Sequence, residues 1–220
     1  VSCLVTLELT GITVSFNSAP LEWWLSLPII VVYPLLFGWV SYQTATKLAE
    51  HKRRLQVMST RDGMTGVYNR RHWETMLRNE FDNCRRHNRD ATLLIIDIDH
   101  FKSINDTWGH DVGDEAIVAL TRQLQITLRG SDVIGRFGGD EFAVIMSGTP
   151  AESAITAMLR VREGLNTLRL PNTPQVTLRI SVGVAPLNPQ MSHYREWLKS
   201  ADLALYKAKK AGRNRTEVAA

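Results

Sequence analysis

Cysteine is scarce in this sequence of 220 residues, and the sequence contains no internal repeats or low-complexity segments. The two cysteines, Cys3 and Cys84, lie far apart, and neither belongs to a Cys-x-x-Cys motif or to a pattern with metal-ligand spacing. This argues against a disulfide framework and a thiolate metal site, and it favours reduced thiols in a cytoplasmic setting. The net charge of +4 is too small an excess to indicate a nucleic-acid partner, and we expect none.

Charge is also missing from residues 23–46. The apolar core of this segment reads WWLSLPIIVVYPLLFGWV, and it is long enough to cross a bilayer because a membrane helix needs about 20 residues. Tryptophan and tyrosine lie near both ends, and basic residues follow from Lys47 to Arg61, so the positive-inside rule places the C-terminal part in the cytoplasm. We therefore expect a membrane segment in residues 1–42, with one full span at about 22–42 after the stub of an earlier one. A buried helix of a soluble domain is the alternative.

A polar, helix-prone stretch follows the apolar run, and we interpret residues 43–58 as a helical linker. Leu48, His51, Leu55 and Met58 recur at the a and d spacing of a heptad. Two heptads do not specify a coiled coil, so the prediction here is a helical connection to a domain that spans residues 59–220.

Apolar runs alternate with helical patterns through that domain. The patterns predict a buried strand at 91–99, a helix at 113–128, a hairpin at 131–147, a helix at 151–168, a strand at 176–185 and a helix at 195–211. The resulting order is β-α-α-β-β-α-β-α. It predicts an α/β (α+β) domain with a ferredoxin-like, split βαβ sheet and helices on one face.

Carboxylates are concentrated at two strand ends. Asp97 and Asp99 close the first strand, and the hairpin turn carries Gly138–Gly139 followed by Asp140 and Glu141. In a split βαβ sheet the first strand lies beside the hairpin, so these acids are expected to meet. Like charges this close need compensation, which hard divalent cations supply through oxygen ligands. Two such ions can clamp a phosphoryl transfer; surface acids at loop ends are the alternative.

Four stretches of the sequence resemble one family. The hairpin turn, FGGDEF at 137–142, matches the GG[DE]EF signature of diguanylate cyclases, and residues 97–114, DIDHFKSINDTWGHDVGD, resemble the family's D-x-D-x-F-K-x-I-N-D-x-x-G-H-x-x-G-D motif. The family's opening and closing motifs are similar to RDGMTGVYNRR (61–71) and ADLALYKAKKAGRNR (201–215). With the apolar segment, the chain resembles the C-terminal part of a membrane-anchored enterobacterial cyclase, which implies the bacterial inner membrane with the catalytic domain in the cytoplasm.

The resemblance implies that two GTP molecules condense to cyclic di-GMP and release two pyrophosphates. It implies divalent ions, Mg²⁺ or alternatively Mn²⁺ and two per half-site, with Asp97, the Ile98 carbonyl and Asp140 as ligands. Asp140 or Glu141 would help to deprotonate the attacking 3′-hydroxyl, and we favour Asp140. Lys102 would stabilise the negative charge that grows on the phosphates.

Substrate contacts are implied for a further set of residues. Asn105 and Asp114 match the family's guanine-binding positions, a pairing that would exclude adenine. The remaining implied substrate contacts are Phe101, His110, Gly138, Gly139, Lys209 and Arg213. Phe101 could instead belong to the core, and His110 could instead pack in a turn.

Other polar residues and glycines near the motifs have open roles. Lys209 and Arg213 are four residues apart, so we expect them to share a helix face, with a solvated basic tail as the alternative. Asp99 is expected to cap the helix that follows it, and Gly113 to serve a turn. Arg136 is expected at the phosphates or at the rim of the sheet.

The resemblance also implies regulation and assembly. Arg129 and Asp132 form an R-x-x-D motif before the hairpin turn, which marks an inhibitory product site in this family, with Arg160 as a secondary contact.

Because the product is two-fold symmetric, one domain supplies half a site, and a homodimer through the catalytic domain and the linker is expected. A degenerate cyclic di-GMP or GTP receptor, another nucleotide chemistry and a domain that only regulates a partner are the rival interpretations.

Overall fold

The structure of the protein, a computed structural model, describes residues 5–9, 12–16, 32–58, 60–170, 173 and 175–219. It divides the chain into two compact units, Val1–Met58 and Ser59–Ala220. In the first unit, β1 (Val5–Leu9) and β2 (Ile12–Phe16) form an antiparallel hairpin, and α1 comprises Tyr33–Met58. Residues 43–58, interpreted as a helical linker, are thus helical.

The predicted membrane span lies partly beyond what the structure describes. Its residues 22–31 are outside the described residues. None of the helices in the described ranges combines the length and the apolar character that crossing a membrane requires.

The second unit is built on a six-stranded sheet with the order β3-β5-β6-β4-β7-β8. Its strands and helices follow one another as β3 (Tyr68–Asn69), α2 (Arg70–His87), β4 (Ala91–Ile98), α3 (Phe101–Trp108), α4 (His110–Thr127), β5 (Val133–Gly138), β6 (Glu141–Ser147), α5 (Ala151–Thr167), β7 (Ile180–Pro186), α6 (Tyr194–Lys210) and β8 (Thr216–Val218). The central strand β4 pairs antiparallel with both β6 and β7, in agreement with the predicted mixed α/β domain around a split βαβ sheet. The edge strands β3 and β8, each parallel to its neighbour, were not predicted.

Helices cover both faces of this sheet, so the prediction of helices on one face is wrong. All eight residues of β4 are buried, and a strand buried on both sides needs cover on both sides. Leu94 and Ile96 belong to a core shared with α4 and α5. Leu93 and Ile95 belong to a second core shared with α2 and α6.

Helix α2 was not identified from the sequence, although its pattern is readable. It buries Trp73, Leu77, Phe81 and Cys84 on one face, the spacing expected of an amphipathic helix. Cys84 is a free thiol whose pKa is raised to about 12, chiefly by burial and also by Glu80. This thiol is therefore unreactive at neutral pH, and Cys3 lies outside the described residues.

The strand predicted at 176–185 begins only at Ile180 and ends at Pro186. Its partner sets this limit, because Ile180 pairs with Ile98, the last residue of β4. Gly183, in the middle of β7, lets α6 approach closely: a Cβ there would overlap the Ala201 carbonyl oxygen and the Leu205 amide nitrogen and would lie 2.9 Å from the Leu205 Cα.

We expect Gly183→Ala to destabilise the protein by about 3 kcal/mol, because helix backbone cannot yield as a flexible side chain can. Urea unfolding measures this, with Gly63→Ala as the matched control, since a Cβ at Gly63 meets no atom within 4 Å. Equal unfolding midpoints for the two variants would contradict the close packing of α6 on β7.

Candidate active site

The sheet brings the predicted acids together at one edge. Asp97 lies opposite Glu141 in the β4–β6 ladder, and the Ile98 amide donates to the Asp140 carbonyl at 3.4 Å. The turn between β5 and β6 carries Gly138 at φ +143 and Gly139 at φ +51. Glycine adopts these angles readily, so the chain can reverse here and place both acids beside the end of β4.

Asp97 is the buried member of this cluster, with 7% of its surface exposed. Burial raises the pKa of Asp97, and the nearby charges of Asp140 and Glu141 raise it further. Lys209 opposes them, because its ammonium lies 2.7 Å from Asp97 Oδ2. The net shift of the Asp97 pKa is upward, so the site holds a carboxylate that needs more positive charge than one lysine provides.

A divalent cation fits this donor set in a limited way. Within the part of the chain that the structure describes, no three His, Cys, Asp or Glu side chains come close enough to share one ion. Mg²⁺ requires fewer, because it uses one or two carboxylates and completes its shell with water and phosphate oxygens. Asp97, the Ile98 carbonyl and Asp140 are suitable hard oxygen ligands for such an ion.

Lys209 and Arg213 do not share a helix face, so that prediction is wrong. Helix α6 ends at Lys210, and Gly212, at φ +108, turns the chain away from the helix axis. Lys209 therefore contacts Asp97 from the last turn of α6, whereas Arg213 is exposed in the turn beyond it.

The prediction that Asp99 caps the helix that follows it is wrong. The N-cap of α3 is His100, and it makes no side-chain capping hydrogen bond. The Asp99 carboxylate instead accepts hydrogen bonds from Ser181 Oγ at 2.6 Å and from the Asn214 amide at 2.8 Å.

Asn105 lies on α3 beside Gly113 of α4. Gly113 belongs to a helix and not to a turn, which corrects the prediction: a Cβ at this position would overlap Asn105 Oδ1 and would lie 3.3 Å from Phe101 Cζ. The missing side chain thus lets α3 and α4 approach. Asn105 Oδ1 is buried and has no hydrogen-bond partner among the described residues.

Other predicted site residues lie on the same two helices. Asp114 follows Gly113 on α4, is exposed, and lines a cavity of about 480 Å³ together with Val118, Leu168 and Leu170. Lys102 on α3 and His110, the first residue of α4, are also exposed. Phe101 is half-buried and packs against the core that contains α4, so it contributes to the core whether or not it contacts a base.

The three residues predicted as an inhibitory site line one cavity. Arg129, Asp132 and Arg160 contribute to a cavity of about 210 Å³ that also includes Thr156 of α5. Asp132 Oδ2 accepts from the Arg129 amide at 2.9 Å, while its Oδ1 is buried without a partner in the described ranges. Burial raises the pKa of Asp132 despite Arg129, so this cavity, too, contains an incompletely compensated acceptor.

Sequence reasoning missed a clamp on the double-glycine turn. Arg136 donates from Nε at 3.0 Å and from Nη2 at 2.8 Å to the Gly139 carbonyl, and from Nη1 at 3.2 Å to Asp62 Oδ1. Asp62 also accepts from the amide and the hydroxyl of Thr65. Burial alone would raise the pKa of Asp62, but the bonds from Thr65 and Arg136 outweigh it and lower that pKa. The opening motif therefore fixes the turn that carries the acids.

The raised pKa of Asp97 has a consequence for stability. The folded protein binds the Asp97 proton more tightly than the unfolded chain does, so the ionised carboxylate opposes folding at neutral pH. This penalty disappears below about pH 4, where the group is protonated in both states.

We expect Asp97→Asn to raise the unfolding temperature at pH 7 by about 2–4 °C and to give a smaller gain near pH 4. Thermal unfolding at the two pH values measures the difference, and Asp82→Asn on the exposed surface of α2 is the control. A lower unfolding temperature for Asp97→Asn at pH 7 would show that the Lys209 ion pair outweighs burial.

Comparisons with known proteins place this geometry in a family. The family described as "Diguanylate cyclase, GGDEF domain" matches residues 59–215. The chain is 99% identical over its full length to "Probable diguanylate cyclase DgcC" of Escherichia coli (strain K12) and spans 59% of that protein's length. It is 35% identical over 71% of its length to "Diguanylate cyclase DosC" of the same organism, of which it spans 34%.

Solved structures agree with these matches. The GGDEF domain of DgcB from Caulobacter crescentus, solved in complex with c-di-GMP, is 30% identical with a TM-score of 0.69, and the match covers 73% of this chain and 96% of that one. The active GGEEF domain of a diguanylate cyclase from Vibrio cholerae is 31% identical with a TM-score of 0.65, over 69% of this chain and 97% of that one. The chain belongs to the diguanylate cyclase family with a GGDEF domain.

Proposed function

We propose that residues 59–220 condense two GTP molecules to cyclic di-GMP, with release of two pyrophosphates, and that the whole chain serves this reaction. The observation that carries the proposal is the meeting of Asp97 with Asp140 and Glu141 beside a double-glycine turn. The family match over these residues supports it. Two glycines leave room for a polyphosphate close to the backbone of the turn. The neighbouring carboxylates suit the divalent cations that accompany such a polyphosphate.

Guanine recognition is assigned to Asn105 and Asp114. The unpartnered Oδ1 of Asn105 is an acceptor, and the exposed carboxylate of Asp114 is another, while guanine offers donors at N1 and its 2-amino group. The apolar wall that Val118 and Leu168 provide beside Asp114 suits the face of a base. Phe101 and His110 complete the proposed surroundings of the base.

The triphosphate is assigned to the turn and to basic residues around it. Gly138 and Gly139 leave the backbone open to the phosphates, and Lys102 and Arg213 are exposed cations. Lys209 pairs with Asp97, and in the substrate complex it would exchange this carboxylate for a phosphate oxygen.

The chemical step uses the acids as proton acceptor and charge partners. Asp140 takes the proton of the 3′-hydroxyl as that oxygen attacks the α-phosphorus of the other nucleotide, and Glu141 supports it. Mg²⁺, or Mn²⁺ in its place, would supply the positive charge that polarises the phosphates when it is held by Asp97, the Ile98 carbonyl and Asp140, with two ions per half-site. Lys102 stabilises charge on the leaving pyrophosphate.

Symmetry determines the proposed assembly. One domain holds one GTP, so two copies must face each other for each 3′-hydroxyl to reach the opposite α-phosphorus. We assign this pairing to a homodimer through the catalytic domain and the helical linker. The apolar run at residues 23–40 and the basic residues that follow it support an anchor in the bacterial inner membrane with the catalytic domain in the cytoplasm.

We expect the purified chain to convert GTP to cyclic di-GMP in the presence of Mg²⁺, and Asp140→Ala to lose activity by a factor of about 100 or more, as expected when a general base is removed. Mass analysis of the products gives the readout at several enzyme concentrations, because a two-copy site predicts a rate per molecule that rises with concentration.

Asp82→Ala, at an exposed position of α2, is the matched control and is expected to retain the activity of the parent. Undiminished turnover by Asp140→Ala would remove the acid cluster from the mechanism. Absence of product from a folded parent that still binds GTP would favour the receptor interpretation.

Product inhibition is assigned to the cavity of Arg129, Asp132 and Arg160. Guanidinium groups bind guanine edges and phosphates, and the buried Oδ1 of Asp132 can accept from a guanine. The structural relative solved with c-di-GMP supports the ability of this fold to bind the product.

We expect Arg129→Ala to raise the cyclic di-GMP concentration for half-inhibition about tenfold, since it removes a charged hydrogen-bond donor. Each variant is compared with its own uninhibited rate, and Arg86→Ala on the exposed side of α2 serves as the control. Equal inhibition of Arg129→Ala and the parent would place the product elsewhere.

A further inference from the structure

A turn of unusual backbone conformation follows α6. Gly212, Arg213 and Asn214 have φ angles of +108, +62 and +46, three consecutive residues on the left-handed side. Gly212 suits this as the residue that ends a helix, and the Arg213 amide donates to the Ala208 carbonyl at 3.0 Å, which is the longer of the two hydrogen bonds of a Schellman motif. Arginine has no such preference, and a residue stays in this region only when its surroundings hold it there.

Two charged side chains bind the backbone of Asn214, one at its amide and the other at its carbonyl. Asp99 Oδ2 accepts from the Asn214 amide at 2.8 Å. The Nη2 of Arg162, on α5, donates to the Asn214 carbonyl. The next residue is fixed as well, because the Val182 amide donates to the Arg215 carbonyl at 2.9 Å. The turn is therefore tied to β4, β7 and α5 at once.

Both carboxylate oxygens of Asp99 accept hydrogen bonds within the protein. Only 5% of its surface is exposed, and its second oxygen accepts from Ser181 Oγ at 2.6 Å. Asp99 follows Asp97 by two residues, so one backbone segment positions both the acid proposed for the phosphate site and the acid that holds the turn. Lys209, in the last turn of α6 before it, contacts that same Asp97.

We propose that Asp99 is a positioning residue for the triphosphate: by holding the Asn214 amide it keeps the Arg213–Asn214 turn left-handed and so fixes the place of the Arg213 guanidinium. This inference rests on the proposed binding of GTP. A free turn would relax toward right-handed backbone, which for an arginine is favoured by about 1–2 kcal/mol, and would carry Arg213 with it. Arg162 supports the same turn from α5.

The test is a double-mutant cycle on Asp99 and Arg213, read as the affinity for a non-reacting GTP analogue by calorimetry. Asp99→Ala is expected to weaken binding about fivefold to tenfold, and Arg213→Ala about tenfold, as for the loss of one charged hydrogen bond. If Asp99 acts through Arg213, the double variant binds no more weakly than Arg213→Ala alone. Losses that multiply in the double variant would overturn the proposal.

Three further variants separate positioning from general stability. Asp99→Asn keeps the shape and one acceptor oxygen and is expected to bind within about twofold of the parent. Arg162→Met releases the turn from its other side and should couple to Arg213 in the same sense, which provides a second cycle if Asp99→Ala fails to fold. Thr92→Val removes a buried hydrogen bond at the far end of β4, from Thr92 Oγ1 to the Thr149 carbonyl, and should lower stability without changing affinity.

The experiment distinguishes failure of the proposed role of Asp99 from failure of the proposed function. A parent that binds the analogue but forms no cyclic di-GMP contradicts the proposed reaction and leaves the cycle readable. A parent that forms product and gives an additive cycle contradicts only the role of Asp99. A parent with no affinity for the analogue overturns both.

Discussion

The candidate active site depends on Asp97, a carboxylate that the fold buries without fully compensating its charge. Asp97 is on the central strand, between β6 and β7, with Asp140 and Glu141 close enough to raise its pKa. The ion pair with Lys209 offsets burial only in part. A group in this state gains from any further cation, so under the proposed function the binding of a metal-complexed polyphosphate would also relieve the unfavourable burial.

The contacts around this acid form a rigid frame. Arg136 ties the Gly139 carbonyl to Asp62, and these bonds restrain a turn whose two glycines give it little conformational preference of its own. Gly113 lets Asn105 lie against α4, and the C-terminal turn is fixed at Asn214. Each of these contacts pairs a glycine or an unusual φ angle with a charged or amide side chain. Preorganisation of this kind reduces the cost of ordering the site when the substrate binds.

The sequence was informative where function resides in contiguous motifs, and less so where contacts are long-range. The strand at 91–98 and the hairpin with its acids could be predicted, because a continuous apolar run and a double-glycine turn specify them locally. The grouping of Arg129, Asp132 and Arg160 was predicted only through the resemblance to a family. The bond from Asp99 to Asn214 joins residues 115 positions apart, and no local pattern carries that information. The error about the helices was avoidable, since an eight-residue buried strand already requires two covered faces. The end of α6 shows a different limit: spacing of four residues implies a shared face only while the helix continues, and Gly212 interrupts it.

Two buried acceptors with no partner among the described residues lie at the proposed ligand sites. Asn105 Oδ1 and Asp132 Oδ1 are both buried in the second unit, and buried polar atoms in proteins are usually hydrogen-bonded. Leaving such an atom unpaired costs about 1–3 kcal/mol, and Gly113 presses α4 against the first of them. The two atoms lie on different parts of the domain, one assigned to the substrate base and one to the product base, and both ligands carry guanine with the same donor edge. A single chemical requirement, a buried oxygen that accepts from guanine, would therefore account for both proposed positions and would relate the proposed substrate site to the proposed inhibitory site.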